Sequence, residues 1–203
     1  MRAAASLQTL LHDPRLWRGS GAAPIRATPT GHASLDDALP GGGWPIGGLS
    51  EILYARPGVG ELKLALPLLA RLTQAGRFIA FVAPPCLPYA PALTQAGIDL
   101  PRALVIEPRN DSDALWAVEQ LLHARAGAVL LWQAHIETTA LRRLQLAAET
   151  GDGIGLLYRP LSAAAHSSIA GLRLRIVREK DRAQVEILKC RGARPSMHYA
   201  LTQ

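Results

Sequence analysis

Leu49–Ala83 reads LSEILYARPGVGELKLALPLLARLTQAGRFIAFVA. Its first six residues, Leu49–Tyr54, predict a strand, and Arg56-Pro57-Gly58-Val59-Gly60 a turn. Glu61–Ala75 then places leucines at 62, 66, 69 and 72, a helical spacing closed by Gly76. Pro67 is compatible with that helix in its early turns, where a missing N–H costs little. Phe78–Ala83 is a continuous apolar run, suited to a strand buried on both faces of a parallel sheet. The same pattern continues downstream. Tyr89–Ala96 predicts a short helix, Ala103–Glu107 a strand, and Asp111–Arg125 a helix capped by Asp111 or Ser112. Ala128–Trp132 predicts a further strand, Glu137–Glu149 a helix ended by Gly151, and Ile154–Tyr158 a fifth strand. Strands alternating with helices at these spacings predict an α/β domain, a mostly parallel sheet flanked by helices with right-handed crossovers.

Both ends of the chain differ from this core. In Leu172–Val177 and Val185–Cys190 apolar and charged residues alternate, around the polar turn Glu179-Lys180-Asp181-Arg182. This predicts a C-terminal antiparallel hairpin with one wet face. Upstream, Ser6–Leu11 is a short helical candidate stopped by Asp13-Pro14, and Trp17 follows. Gly19–Pro29 reads as a linker, and Ser34, Asp36 and Asp37 open a short helix before the stop at Pro40–Gly43. The expected division is an arm and linker over 1–29, a core over 30–195 and a tail over 196–203.

Of the 203 residues 49% are hydrophobic and 19% charged, which supports a substantial core and excludes disorder over the whole length. Phe78–Pro85 and Ala126–Trp132 are less than half of the roughly 18 to 20 residues a membrane span needs. Met1–Leu11 lacks the apolar stretch and cleavage site of a secretory signal. A cytoplasmic protein with no membrane partner is therefore expected. Cys86 and Cys190 are too few for a disulfide or zinc framework and read as small core hydrophobes. The net charge of +6 suits an anionic partner. Its excess is C-terminal: Arg173–Arg194 holds eight basic residues against three acids.

Thr30–Glu51, TGHASLDDALPGGGWPIGGLSE, resembles the stretch that leads into the nucleotide site of RecA-type recombinases. The terminal LRLRIVREKDRAQVEILKCRGARP resembles the last hairpin of that core, so the resemblance spans residues 30–195 and implies a RecA-like fold. A phosphate loop works through glycine-rich N–H groups, a Lys on the β and γ phosphates and a hydroxyl on Mg²⁺. Here Ala55–Leu62 carries Gly58 and Gly60, but Glu61 stands at the Lys position and Leu62 at the hydroxyl position. Lys63 does not substitute, because two residues along a helix turn a side chain by about 200°. Glu61 is expected to fill the anion seat itself, favoured by the helix dipole. The acid that would polarise water falls in Ala83-Pro84-Pro85-Cys86, the metal-orienting acid at Trp132 and Gln133, and the polar sensor at Tyr158-Arg159-Pro160. The expectation is a RecA-like pseudo-ATPase with no catalytic residue, cofactor or metal. A divergent ATPase or recombinase, the third reading, is opposed by Glu61, Leu62 and Trp132.

GEL in place of GKT, with Trp17-Arg18-Gly19 after a short N-terminal helix, is similar to the ImuA family of bacterial translesion-synthesis proteins. That resemblance implies an SOS-induced accessory factor of mutagenic DNA synthesis, acting through ImuB, a catalytically dead polymerase homologue, and through RecA. It also brings the error-prone polymerase α-subunit encoded beside ImuB into view as a partner. The alternative is a SulA-type inhibitor that binds the tubulin-like division protein; the intact lead-in and the basic tail favour the first reading.

The remaining candidates are weighed against plain structural roles. Gly41–Gly43 reads as a tight turn, and Trp132 and His135 as packing or loop residues. His166-Ser167-Ser168 offers no base or oxyanion partner for a nucleophile. The basic hairpin is either a solvated face or a surface on which Arg173, Arg175, Arg178, Arg191 and Arg194 meet phosphates. It holds no aromatic residue to stack bases, and the segment matching the recombinase DNA loops, Ala163–Ser168, is short. Weak, sequence-independent binding of single-stranded DNA is expected at best. Trp17 suits an anchor on ImuB, on its own core or on a second copy, which leaves a homo-oligomer open.

Overall fold

The computed structural model describes residues 25–179, 182–191 and 198–200, and only the backbone of 179, 182 and 198–200. The arm with Trp17, residues 180–181, Arg194 and most of the tail lie outside the described residues. In chain order the elements are β1 (Ala27–Thr28), α1 (Ala33–Ala38), β2 (Trp44–Pro45), β3 (Gly48–Tyr54) and α2 (Leu66–Gln74). There follow β4 (Ile79–Val82), α3 (Ala90–Gln95), β5 (Ala103–Ile106), α4 (Asp111–His123), β6 (Ala128–Trp132) and α5 (Thr138–Gly151). The chain closes with β7 (Ile154–Pro160), β8 (Leu172–Glu179), β9 (Arg182–Cys190) and β10 (His198–Ala200). One sheet runs β10-β9-β8-β3-β7-β6-β4-β5. From β8 to β5 all pairings are parallel, whereas β9 is antiparallel to β8 and β10 to β9. The α/β fold with a parallel core and an antiparallel C-terminal hairpin is the one the sequence predicts.

Alternating side chains of the central strands enter two separate cores, as the two-residue period of a strand requires. Ile52, Phe81, Leu130, Leu156 and Leu174 face α2 with its Leu68 and Leu69. Leu49, Val82, Val129, Leu131 and Leu157 face α4 and α5 through Val118, Leu122, Leu141 and Leu144. Burial on both faces explains why these strands read as unbroken apolar runs.

Local details depart from expectation. The helix expected from Glu61 begins at Leu66, with Pro67 in its first turn. Residues 61–65 form turns in which the Leu62 carbonyl accepts from the Ala65 and Leu66 N–H groups. Helix α4 is capped by Asn110, whose side chain accepts from the Asp113 N–H at 2.9 Å; in the run Asn-Asp-Ser-Asp the first side chain with extended backbone takes the role. Gly151 does not end α5. It belongs to the helix, and Asp152 takes the left-handed turn at φ +51°. The end of the expected linker pairs as β1 with β2, Ala27 opposite Pro45. The expected tail contributes β10, paired with β9 through His198 and Glu186. Cys86 is exposed and is not a core residue, because Ala83 at φ +51° and two prolines end β4 before it.

Candidate functional site

The loop Ala55–Gly60 leaves the C-terminal end of β3, where nucleotides sit in proteins built on this loop. Gly58 and Gly60 hold φ of +84° and +102°, conformations that glycine adopts without steric cost. Glu61 is buried, with 7% of its surface exposed. Both of its carboxylate oxygens lie 3.1 Å from the Gly58 nitrogen, which donates its N–H to them. Glu61 is thus held by the loop's own amide. The helix dipole invoked from sequence is not its partner, since α2 starts five residues later. Leu62 packs partly against the core, and Lys63 is exposed. Gly60 faces the C-terminal hairpin: a Cβ there would lie 3.4 Å from the Ala183 Cβ.

Beneath this loop the strand ends carry rings. Trp132 lies opposite Tyr158 in the β6–β7 register, and the two rings stack at 4.5 Å and 11°. Phe81 stacks on Trp132 at 6.3 Å, and Tyr54 meets Tyr158 edge-on at 6.4 Å. Burial, and then the Glu61 charge, push the Tyr158 hydroxyl far above its ordinary range, and the same two causes raise Tyr54. Both phenols are therefore neutral. The Tyr158 hydroxyl, the Trp132 indole nitrogen and Gln133 Oε1 are buried without a hydrogen-bond partner in the structure. Ala83, the first residue of the Ala83–Cys86 stretch in which a water-polarising acid would fall, adopts a left-handed turn and carries no functional group. Among the described residues no group of three His, Cys, Asp or Glu side chains is placed to hold a metal ion, and no helix is long and apolar enough to cross a membrane.

The hairpin arginines separate into different roles. Arg173 does not face outward as a phosphate contact would. It is buried, its Nε donates to Glu51 Oε2 at 2.6 Å, and its other nitrogens donate to the carbonyls of His166 and Ala163. Its neighbours explain this. Arg173 lies directly opposite Glu51 in the β3–β8 register, and Glu51 is wholly buried. Arg159 of β7 reaches the same carboxylate from the other side, Nη1 to Oε1 at 2.9 Å, and the Ser168 hydroxyl donates to Oε1 at 2.7 Å. The result is a buried Arg–Glu–Arg triad across three neighbouring strands, roofed by the segment 161–168. Arg175 pairs with Glu186 on β9 and is half-buried. Arg178 and Arg191 are exposed, and Arg178 has an interaction within the chain. Sequence reasoning missed Glu51 and Arg159. The available signal was an acid inside an otherwise apolar strand, which demands a buried cation.

Comparison with known proteins bears on this arrangement. Residues 47–155 match the family model of the cell division inhibitor SulA, more than half of the chain. Protein ImuA of Caulobacter vibrioides is 30% identical over 192 residues, covering 81% of this chain and 79% of that protein. RecA of Streptomyces ambofaciens is 31% identical over 150 residues, and RecA of Acidothermus cellulolyticus 30% over 167. Those alignments take in 73% and 78% of this chain but only 40% and 48% of the respective RecA.

Proposed function

Because the chain belongs to the ImuA family and to the group described by the SulA family model, we propose that it is a non-catalytic accessory protein of SOS-induced, error-prone translesion DNA synthesis. On this reading it works in the cytoplasm through contacts with ImuB and RecA, and hydrolyses no nucleotide. The supporting observation is the Glu61 carboxylate on the Gly58 N–H: an amide that would otherwise donate to a phosphate already has a partner of like charge to the ligand. The ring stack from Phe81 to Tyr54 is consistent with it, since Trp132 and Tyr158 put aromatic rings where a metal-orienting acid and a polar sensor would fall.

The test is size-exclusion chromatography with light scattering of the purified chain, alone and with ImuB, at low and high salt. A joint peak that survives high salt supports the adaptor reading. Separate peaks at both salts would remove its main support. A second reading, inhibition of the tubulin-like division protein, has the SulA match over residues 47–155 behind it. Filamentation on overexpression, with pulldown of that protein, would favour it.

A further inference from the structure

A cavity of about 840 Å³ opens at the N-terminal ends of β3 and β8, the opposite end of the sheet from the Ala55–Gly60 loop. Ile25, Leu39, Pro45, Ile46, Ile169 and Leu172 give it apolar walls. Four polar side chains on the wall are already engaged. Arg26 pairs with Asp152 at 2.9 Å, and Lys189 donates to the Ser168 carbonyl. Gln145 accepts from the Leu49 N–H and donates to the Gly47 carbonyl and to Glu149. A cavity with such walls, whose polar groups are largely satisfied, calls for an apolar occupant. Ile25, the first described residue, is itself part of the wall. Residues 1–24, which lie outside the described residues, therefore join the chain at the cavity.

We propose that the cavity is the seat of the chain's own N-terminal arm, filled by Trp17 together with Leu10 and Leu11. The arm has the right chemistry, since a large aromatic anchor backed by aliphatic side chains suits a pocket of this kind. It also has the reach. Seven residues, Arg18–Pro24, join Trp17 to Ile25 and span at most about 25 Å, more than a return to the adjoining wall requires. Gly19 and Gly21 let this stretch turn back on itself. A tether so short holds the arm at an effective concentration in the millimolar range, which a second copy or a partner at ordinary concentrations does not match. Residues 192–197 also leave from this wall, after Arg191, but they hold no aromatic residue and the chain rejoins the sheet at His198. A partner that takes Trp17 has to draw it out of this seat. The inference does not rest on the accessory reading, and the failure of either leaves the other standing.

Cys190 reports on the cavity, because it lines the wall, whereas Cys86 follows the far end of β4 and is exposed. The probe is a maleimide, with the labelling rate of each cysteine read by mass spectrometry of peptides from the full chain. Trp17→Ala should speed labelling of Cys190 by about tenfold or more, as the anchor that covers it is lost, and leave the Cys86 rate unchanged. The double variant Leu10→Ala with Leu11→Ala should act in the same direction. Circular dichroism and melting of each variant are compared with wild type, so that unfolding is told apart from release of the arm. On unaltered protein the Cys190 rate should stay constant over about 1 to 50 μM, because the occupant is in the same chain. Equal Cys190 rates in wild type and variants would overturn the proposal. So would a wild-type rate that rises on dilution, which would make a second copy the occupant.

Discussion

Replacing Glu51 with Gln tests the triad most directly. The substitution keeps the shape of the side chain and removes the single negative charge between two buried guanidinium groups, whose side chains are 7% and 8% exposed. Removing one partner of a buried ion pair costs about 3–5 kcal/mol, because the charge left behind has no counter-ion. The lower end applies here. Arg173 retains the carbonyls of His166 and Ala163, and Arg159 retains that of Ala134, so neither guanidinium is left without acceptors. For a domain of this size about 3 kcal/mol corresponds to a melting point lower by roughly 6–12 °C. Urea unfolding followed by circular dichroism gives the free energy. Arg175→Ala, which removes a partly exposed pair, serves as the comparison and should cost no more than about 1 kcal/mol. If Glu51→Gln stays within about 1 kcal/mol of wild type, the triad is not the structural element described. Replacing all three charged residues by Met separates two roles: near-wild-type stability would mean that the triad selects this strand order and adds little net stability.

Gly151→Ala should destabilise by about 1–3 kcal/mol in the same urea assay, because the new Cβ would lie 1.8 Å from the Leu122 carbonyl oxygen and force α4 and α5 apart. The His32 pKa is depressed below 6.5, chiefly by burial against the opposing pull of the Leu64 carbonyl, Asp36 and the Lys63 carbonyl. The unfolded chain therefore takes up a proton more readily than the folded one. Stability contributed by neutral His32 is complete above pH 6.5 and is lost as pH falls through the folded pKa. Urea midpoints of wild type and His32→Gln should diverge only across that window. Maleimide labelling should reach the exposed Cys86 well before Cys190, whose thiol is half-buried and pushed up by burial; mass spectrometry of peptides after brief labelling checks the order.

The core was legible because β4 and β6 are apolar on both faces and each crossover helix ends near a glycine. Element ends were less so. Several neighbouring residues could start α4, and only backbone geometry selects Asn110. In the loop after β3, sequence placed Glu61 at the anion seat but assigned the wrong donor, since the late start of α2 depends on where Pro67 falls in the first turn. The triad was hidden by distance along the chain. Arg159 and Arg173 lie 108 and 122 residues from Glu51, the first just past a predicted strand and the second in a hairpin that reads as having a wet face. The ring stack was hidden for the same reason: Phe81, Trp132 and Tyr158 lie on three different strands, and only the order β7-β6-β4 lines them up.

That strand order has a consequence for how the chain acquires its shape. Strand β3 ends at Tyr54, but its neighbours β7 and β8 begin only at Ile154 and Leu172. Until they arrive, β3 has no strand on either edge and Glu51 has neither cation. A nascent chain ending before residue 154 therefore holds a central strand that cannot yet be buried at low cost. Productive folding waits for these long-range pairings, a step that is slow because distant segments must be brought together. During that interval the bare strand is the segment most in need of protection from other chains.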